Sequence, residues 1–255
     1  MKKAIIIFLV LIASVTNAQD KTRVREILQE FADAWRGQDE FRLLQAVRIG
    51  FWIRTDEVHQ YSITLTNEPV GNLESGKIGK FDLGFELDLA TLELLHSGAL
   101  NALTAMGQAR EDDLIPLVPK FPPGFEWTSD TRGYIIPLMF HFWNRDWPET
   151  VDFGKERSRK VHGALGTVFF YDSGLRSAWY RVEPGMHLNK DVEDQVNDFQ
   201  TFLIVTKGSV QSKLDGKEIE LKAGQSVFIP AGMSHEFWSE KEVGEFIILM
   251  FGEGA

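Results

Sequence analysis

Histidine is the chemically versatile residue in this chain, and there are six of them. An imidazole can ligate a metal, carry a proton near neutral pH, or donate and accept hydrogen bonds as a neutral ring. His59, His96, His141 and His162 are scattered and form no ligand pair by spacing. His187 is followed by Asp191, Glu193 and Asp194, a stretch that offers carboxylates beside an imidazole. His235 closes the run Gly224-Gln225-Ser226-Val227-Phe228-Ile229-Pro230-Ala231-Gly232-Met233-Ser234-His235. That run reads as a turn, a short apolar strand, a Pro/Gly corner and a histidine opening the next strand. Pro230 lacks an N–H and belongs at a strand end, and Gly232 suits a corner that side chains with a Cβ resist. The corner aims His235 at a defined point. No Gly-rich phosphate loop, Gly-x-Ser-x-Gly elbow or cysteine nucleophile accompanies it.

The order Gly224, five residues, Pro230, one residue, Gly232, two residues, His235 resembles the second motif of the cupin family, and the resemblance extends over 161–251. It implies a β-barrel of jelly-roll type. In catalytic members it also implies a divalent metal (Fe, Mn, Ni or Zn) held by two histidines and a glutamate of a first motif together with the histidine of the second. The first motif departs from that pattern here. Gly208 fits its closing glycine, but Thr201 stands in place of the glutamate, and Gln195 and Asn197 stand in place of the histidine pair. Amides and a hydroxyl are hydrogen-bonding groups and poor donors toward a divalent ion. The resemblance therefore implies a ligand-binding set at the barrel mouth, Gln195, Asn197, Thr201 and His235, with no metal ligand among them beyond one imidazole. A buried polar network satisfying itself is the bland reading of the same four residues. A different alignment of the lengthened loop would bring His187 and a carboxylate from Asp191, Glu193 or Asp194 to His235, giving the two-histidine, one-carboxylate set of non-haem iron sites.

The elements that must position these residues are short strands. Residues 167–171, 177–182, 199–205, 210–214, 217–221, 226–229, 235–238 and 246–251 are apolar or alternating, and turn signals separate them. Asp215-Gly216 between alternating runs predicts a two-residue hairpin. If its strand is regular, Trp238 points to the face opposite His235.

Residues 19–110 read differently. Val24, Ile27, Leu28, Phe31 and Trp35 recur at helical spacing after Asp20, a candidate cap, and 40–48 predicts a second short helix carrying Phe41, Leu44 and Val47. Phe51–Ile53, the alternation Tyr61, Ile63, Leu65, and the alternation Phe81, Leu83, Phe85, Leu87 predict strands. Asp88 caps a helix ending at Ser97-Gly98, and a further helix spans Leu100–Met106 before Gly107. This is an α+β unit. Its run Leu92–Leu100 with Ala102, Ala105 and Gly107 resembles the C-terminal part of sterol-carrier-protein domains, which implies a lipid held between sheet and helices.

Pro116, Pro119, Pro122 and Pro123 then interrupt the chain, and Tyr134–Trp147 is rich in large apolar groups. Residues 111–160 thus read as a Pro-rich linker and an interdomain packing segment, with the mixed-charge run Gly154–Lys160 as a solvated connection. The fold class expected is an α+β N-terminal domain followed by an all-β cupin jelly-roll barrel over 161–255.

Lys2 and Lys3, the apolar run Ala4–Ala13 and the small residues up to Ala18 predict a cleavable signal peptide over 1–18 and a secreted or periplasmic protein. The apolar run is half the ~20 residues needed to span a bilayer, so no stable span remains after cleavage. Cleavage removes two lysines and no acid, moving the formal net charge from −10 to −12. That balance disfavours nucleic acid, whose phosphates require Lys and Arg, and anionic membrane surfaces. A small-molecule ligand is the expected partner, and a homodimer is compatible with the sequence. Two functions remain open at this level: a non-catalytic binding protein, and a metal-dependent oxygenase or isomerase with a rearranged site.

Overall fold

The computed structural model describes residues 2–35, 45–66, 73–107, 114–144, 150–172 and 174–255. The chain folds as two compact units that alternate along the sequence. One comprises Met1–Gly98 and Pro116–Thr150, the other Ala99–Ile115 and Val151–Ala255. The boundaries expected at 110 and 160 therefore fall inside the units.

The first unit begins with helix α1 (Lys2–Trp35). Asp20 lies within it and caps nothing, because no Gly or Pro interrupts the helix between Lys2 and Trp35. Val24, Ile27, Leu28, Phe31, Ala32 and Trp35 are its buried stripe. Among the described residues, no helix is long and apolar enough to cross a membrane.

Strands β1 (Val47–Arg54), β2 (Val58–Leu65), β3 (Glu74–Ser75) and β4 (Leu83–Asp88) follow. Val47 and Arg48, expected to end a helix, open β1, where Val47 alternates with Ile49, Phe51 and Ile53 on the buried face. The strand period wins over a single helical turn because that face pairs with two neighbours at once. The rest of that expected helix, with Phe41 and Leu44, lies outside the described residues. Phe51 sits opposite Tyr61 on antiparallel β2 and opposite Phe85 on parallel β4.

Helix α2 (Leu89–Ser97) is capped by Asp88, whose side chain accepts from the Thr91 N–H, and it ends at Gly98. Helix α3 (Ala102–Met106) belongs to the second unit. Strand β5 (Val118–Lys120) adds to the far side of β4, giving the sheet order β3-β2-β1-β4-β5. Pro119 is thus tolerated because β5 is an edge strand. Helix α4 (Ser129–His141) carries Ile135 and Leu138, which are buried, and runs into buried Phe142 and Trp143. Those rings pack within the first unit: Phe142 lies 5.4 Å from Phe51, and Trp143 lies 5.2 Å from Phe31 and 5.1 Å from Phe85. Trp147 is outside the described residues.

The second unit is built of strands β6 (Arg159–Val161), β7 (Ala164–Asp172), β8 (Leu175–Val182), β9 (His187–Leu188), β10 (Gln200–Lys207), β11 (Ser209–Leu214), β12 (Lys217–Lys222), β13 (Ser226–Ile229), β14 (His235–Trp238) and β15 (Gly244–Phe251). They form two sheets, β13-β10-β15-β8-β7-β6 and β12-β11-β14-β9, the jelly-roll arrangement without a closed barrel. Asp215 and Gly216 both have positive φ and join Leu214 to Lys217, as the hairpin signal predicts. Leu203, Val205, Ile229 and Phe246 from the six-stranded sheet meet Leu188, Val210, Leu221 and Phe237 from the four-stranded sheet in one core. Burial of such side chains stabilises by ~25 cal/mol per Å2 of apolar surface.

Helix α3 closes a gap in this unit. Beyond Gly166, β7 has no β6 partner. There the Asn101 side chain donates to the Val168 carbonyl (2.9 Å), and the Val168 N–H donates to Thr104 Oγ1 (2.8 Å). Arg159, read from the sequence as part of a solvated connection, donates to the carbonyls of Thr104 (2.8 Å), Gly107 and Leu114 (2.7 Å). A cation at a helix C-terminus satisfies carbonyls that the helix leaves open.

Candidate ligand site in the jelly-roll unit

The corner between β13 and β14 delivers His235 as the sequence predicts. Gly232 has φ 79, and its N–H donates to the Asn197 carbonyl (2.8 Å). A residue with a Cβ would strain that corner. Along β14, His235 and Phe237 are buried while Glu236 and Trp238 are half-exposed, so Trp238 does face away from His235. Thr201, second residue of β10, reaches the interior from the other sheet, level with Ile229 and Met250. Both His235 and Thr201 are 1% exposed.

Three of the four residues expected at the site come together. Asn197 Nδ2 lies 3.4 Å from Thr201 Oγ1, to which it donates, and 3.4 Å from His235 Nε2. His235 Nδ1 is 3.0 Å from the Met233 carbonyl. A carbonyl only accepts, so Nδ1 carries the proton and Nε2 presents its lone pair to the interior. Burial lowers the His235 pKa; the bond to Met233 opposes this, and the nearby His162 adds to the lowering. The neutral ring is therefore favoured. The Asn197 contacts are long for hydrogen bonds, whose usual range ends near 3.2 Å.

Gln195 departs from expectation. Its carbonyl accepts from the His235 N–H (2.8 Å), but its side chain donates to the Lys190 carbonyl (3.2 Å) in the preceding loop. Gln195 ends the 3-10 turn Val192–Asp194 in a helical conformation, which folds its side chain back along the loop.

His187 is also elsewhere. It pairs with Trp238 across β9 and β14 and lies 3.0 Å from Glu236 Oε2, on the face opposite His235. Among the described residues, no three His, Cys, Asp or Glu side chains are placed to hold an ion together. The donor set around His235 is an amide and a hydroxyl, which does not fit a divalent metal of the kind the resemblance implies.

Sequence reasoning missed His162. His162 and Gly163 have φ 50 and 89 and form the two-residue turn that pairs Val161 with Ala164. From that turn, His162 Nδ1 lies 3.4 Å from Asp194 Oδ1, beside the loop that supplies Gln195 and Asn197. The available signal was the His-Gly dipeptide between two β-runs, a hairpin turn by composition.

Residues 178–252 match the family model described as cupin domain, and the C-terminal unit of this chain is a cupin domain. Solved structures similar to it include a cupin 2 conserved barrel domain protein from Salinispora arenicola, at 15% identity over 42% of this chain and 91% of that one, with a TM-score of 0.37. A conserved protein of unknown function from Streptococcus pyogenes aligns at 14% identity over 43% and 92%, with a TM-score of 0.35. A predicted oxalate decarboxylase from Thermotoga maritima aligns at 16% identity over 34% and 79%, with a TM-score of 0.31. No curated protein matches the sequence.

Proposed function

We propose that this is an exported cupin-domain protein whose jelly-roll unit binds a small molecule through Asn197, Thr201 and His235, without catalysis. The observation that carries the reading is His235 itself: buried, favoured in its neutral form, its Nδ1–H committed to Met233 and its Nε2 turned inward against one long contact. Such a nitrogen is an acceptor awaiting a better donor. Asn197 and Thr201 supply a donor and a hydroxyl beside it.

Metal analysis of the purified protein tests the non-catalytic assignment. Dialysed protein is expected to carry no stoichiometric Fe, Mn, Ni or Zn, and its melting temperature should not rise when these are added. Stoichiometric metal that disappears in His235→Ala would replace this reading with the metal-dependent oxygenase or isomerase. Export rests on Lys2, Lys3, the apolar run and Ala18. N-terminal sequencing should find a chain starting near Gln19, and an intact Met1 on membrane-bound protein would refute it.

A further inference from the structure

Arg176 is a charged side chain in the jelly-roll unit that the site described above does not use. It stands on β8 level with Met250 on β15, and Met250 is level with Thr201 on β10. The three share the inward face in one row, with Arg176 about 10 Å from Thr201 by two strand spacings. That row lies at an open end of the unit. On β15 the inward residues Phe246 and Ile248 are buried and the next, Met250, is half-exposed. On β8 Ala178 is buried and Arg176 is half-exposed. Solvent thus reaches the inward face at this row.

A guanidinium carries five N–H donors around its edge. Two rings hold this one, with Cζ 4.7 Å from the centroid of Tyr171 and 5.2 Å from that of Phe199. Ring contacts of this kind stabilise the cation without using its donors. Nη2 donates to the Gly254 carbonyl (3.0 Å), and Nε is buried with no hydrogen-bond partner among the described residues. The acids closest in sequence and register are turned away. Asp172 is level with Leu175, on the opposite face of the sheet, and Asp198 and Glu253 are exposed. None of them pairs with Arg176 among the described residues. A half-buried cation without a counter-charge is costly, and this chain has 37 acidic residues that could have supplied one. A carboxylate is the planar acceptor that a guanidinium edge binds best, through two parallel N–H···O bonds. Met250, which stands between that edge and Thr201 along the row, is an unbranched side chain that adapts to what packs on it.

We propose that the ligand of the cupin unit is a small monocarboxylic acid, its carboxylate on Arg176 and its body lying across Met250 toward Thr201 and Asn197. This rests on the small-molecule reading above and narrows its ligand class. One cation selects one negative charge: an amine is repelled, and a neutral amide of the same shape leaves the charge uncompensated.

Thermal shift and titration calorimetry on the full mature chain test it, with acetate, butyrate, hexanoate and benzoate as probes, each against its amide. At least one acid should bind and raise the melting temperature, and its amide should bind at least tenfold more weakly. Arg176→Gln should weaken the acid at least tenfold, as loss of a hydrogen bond to a charged group does, and leave the amide unchanged. Arg176→Lys keeps the charge without the fork and should fall between. Asn197→Ala should weaken acid and amide alike. Melting temperatures without probe show whether the variants fold, and the acid-to-amide ratio is measured on wild type and needs no variant. Amides binding as tightly as their acids, or acids binding equally to Arg176→Gln and wild type, would overturn the carboxylate assignment. In those cases Asn197-dependent binding would leave the small-molecule reading intact. No Asn197-dependent binding of any probe would overturn both.

Discussion

In the first unit, Phe31, Phe51, Phe85, Phe142 and Trp143 fill the space between sheet and helices ring against ring, with centroids 5.1–6.4 Å apart. In the second, Thr201, Ser212 and His235 stand among Leu, Val and Phe and are as thoroughly buried as their apolar neighbours. Aromatic edge-to-face and offset contacts add stability beyond simple area burial. Buried hydroxyls and an imidazole with weak partners do the reverse. Both interiors hold a buried polar atom without a partner among the described residues, Trp143 Nε1 in the first and Ser212 Oγ in the second; the second also gathers an amide, a hydroxyl and an imidazole at 3.4 Å contacts, and that grouping locates the candidate site.

The contrast can be broken most forcefully by Phe142→Ala. It should destabilise the first unit by about 3–5 kcal/mol, the usual range for a buried aromatic truncated in a close-packed core. Urea unfolding followed by tryptophan fluorescence will measure it, and probe binding by the second unit should survive below the transition. Gly208→Ala tests the second unit's frame. Gly208 has φ 62, and a Cβ there would strike the Val243 carbonyl. A loss of roughly 1–3 kcal/mol is expected from the backbone conformation alone, read as a lower melting temperature.

Asn101→Ala removes both the α3 cap, where its side chain accepts from the Thr104 N–H, and the donor to Val168. A loss of about 1–2 kcal/mol should appear in the second unit. If calorimetry instead assigns the loss to the first unit, residues 99–115 have been given to the wrong partner.

The smallest expected effect is one of pH. Burial lowers the folded-state pKa of His235 below its ordinary ~6.5. As pH falls through ~6.5, the unfolded chain takes up a proton that the folded chain refuses, so stability falls with pH until the folded pKa is reached. His235→Gln should flatten the stability–pH curve in that window. An unchanged slope would mean that the ring is not held neutral.

How much of this was legible beforehand depended on how local the cause was. The eight strands expected between 167 and 251 all exist, because alternation and turn residues act over two to eight residues. The Asp88 cap and the Asp215-Gly216 turn were equally local. What escaped was set by partners distant in sequence. Val47 and Arg48 follow β2 and β4 into a sheet, Pro119 is admitted because nothing pairs beyond it, and Phe142 joins rings from residues 31, 51 and 85. At the site, Asn197, Thr201 and His235 were found by motif spacing. Gln195 kept only its backbone there because a 3-10 turn redirected its side chain. His162 was legible only as a turn residue, and its place beside Asp194 was not; Ser212 carries no motif, and only the register of β11 with β14 brings it inward.

The alternation of the two units along the chain also bears on synthesis. As residues leave the ribosome, the first unit's sheet lacks β5 and its core lacks Phe142 and Trp143 until about residue 143 has emerged. Meanwhile residues 99–115 are already out, carrying Asn101 and Thr104, which must wait for Val168 to be made. Neither unit can finish folding as an uninterrupted N-terminal piece. For an exported chain, that delay would keep the early part loose enough to be threaded through a translocation channel before it sets.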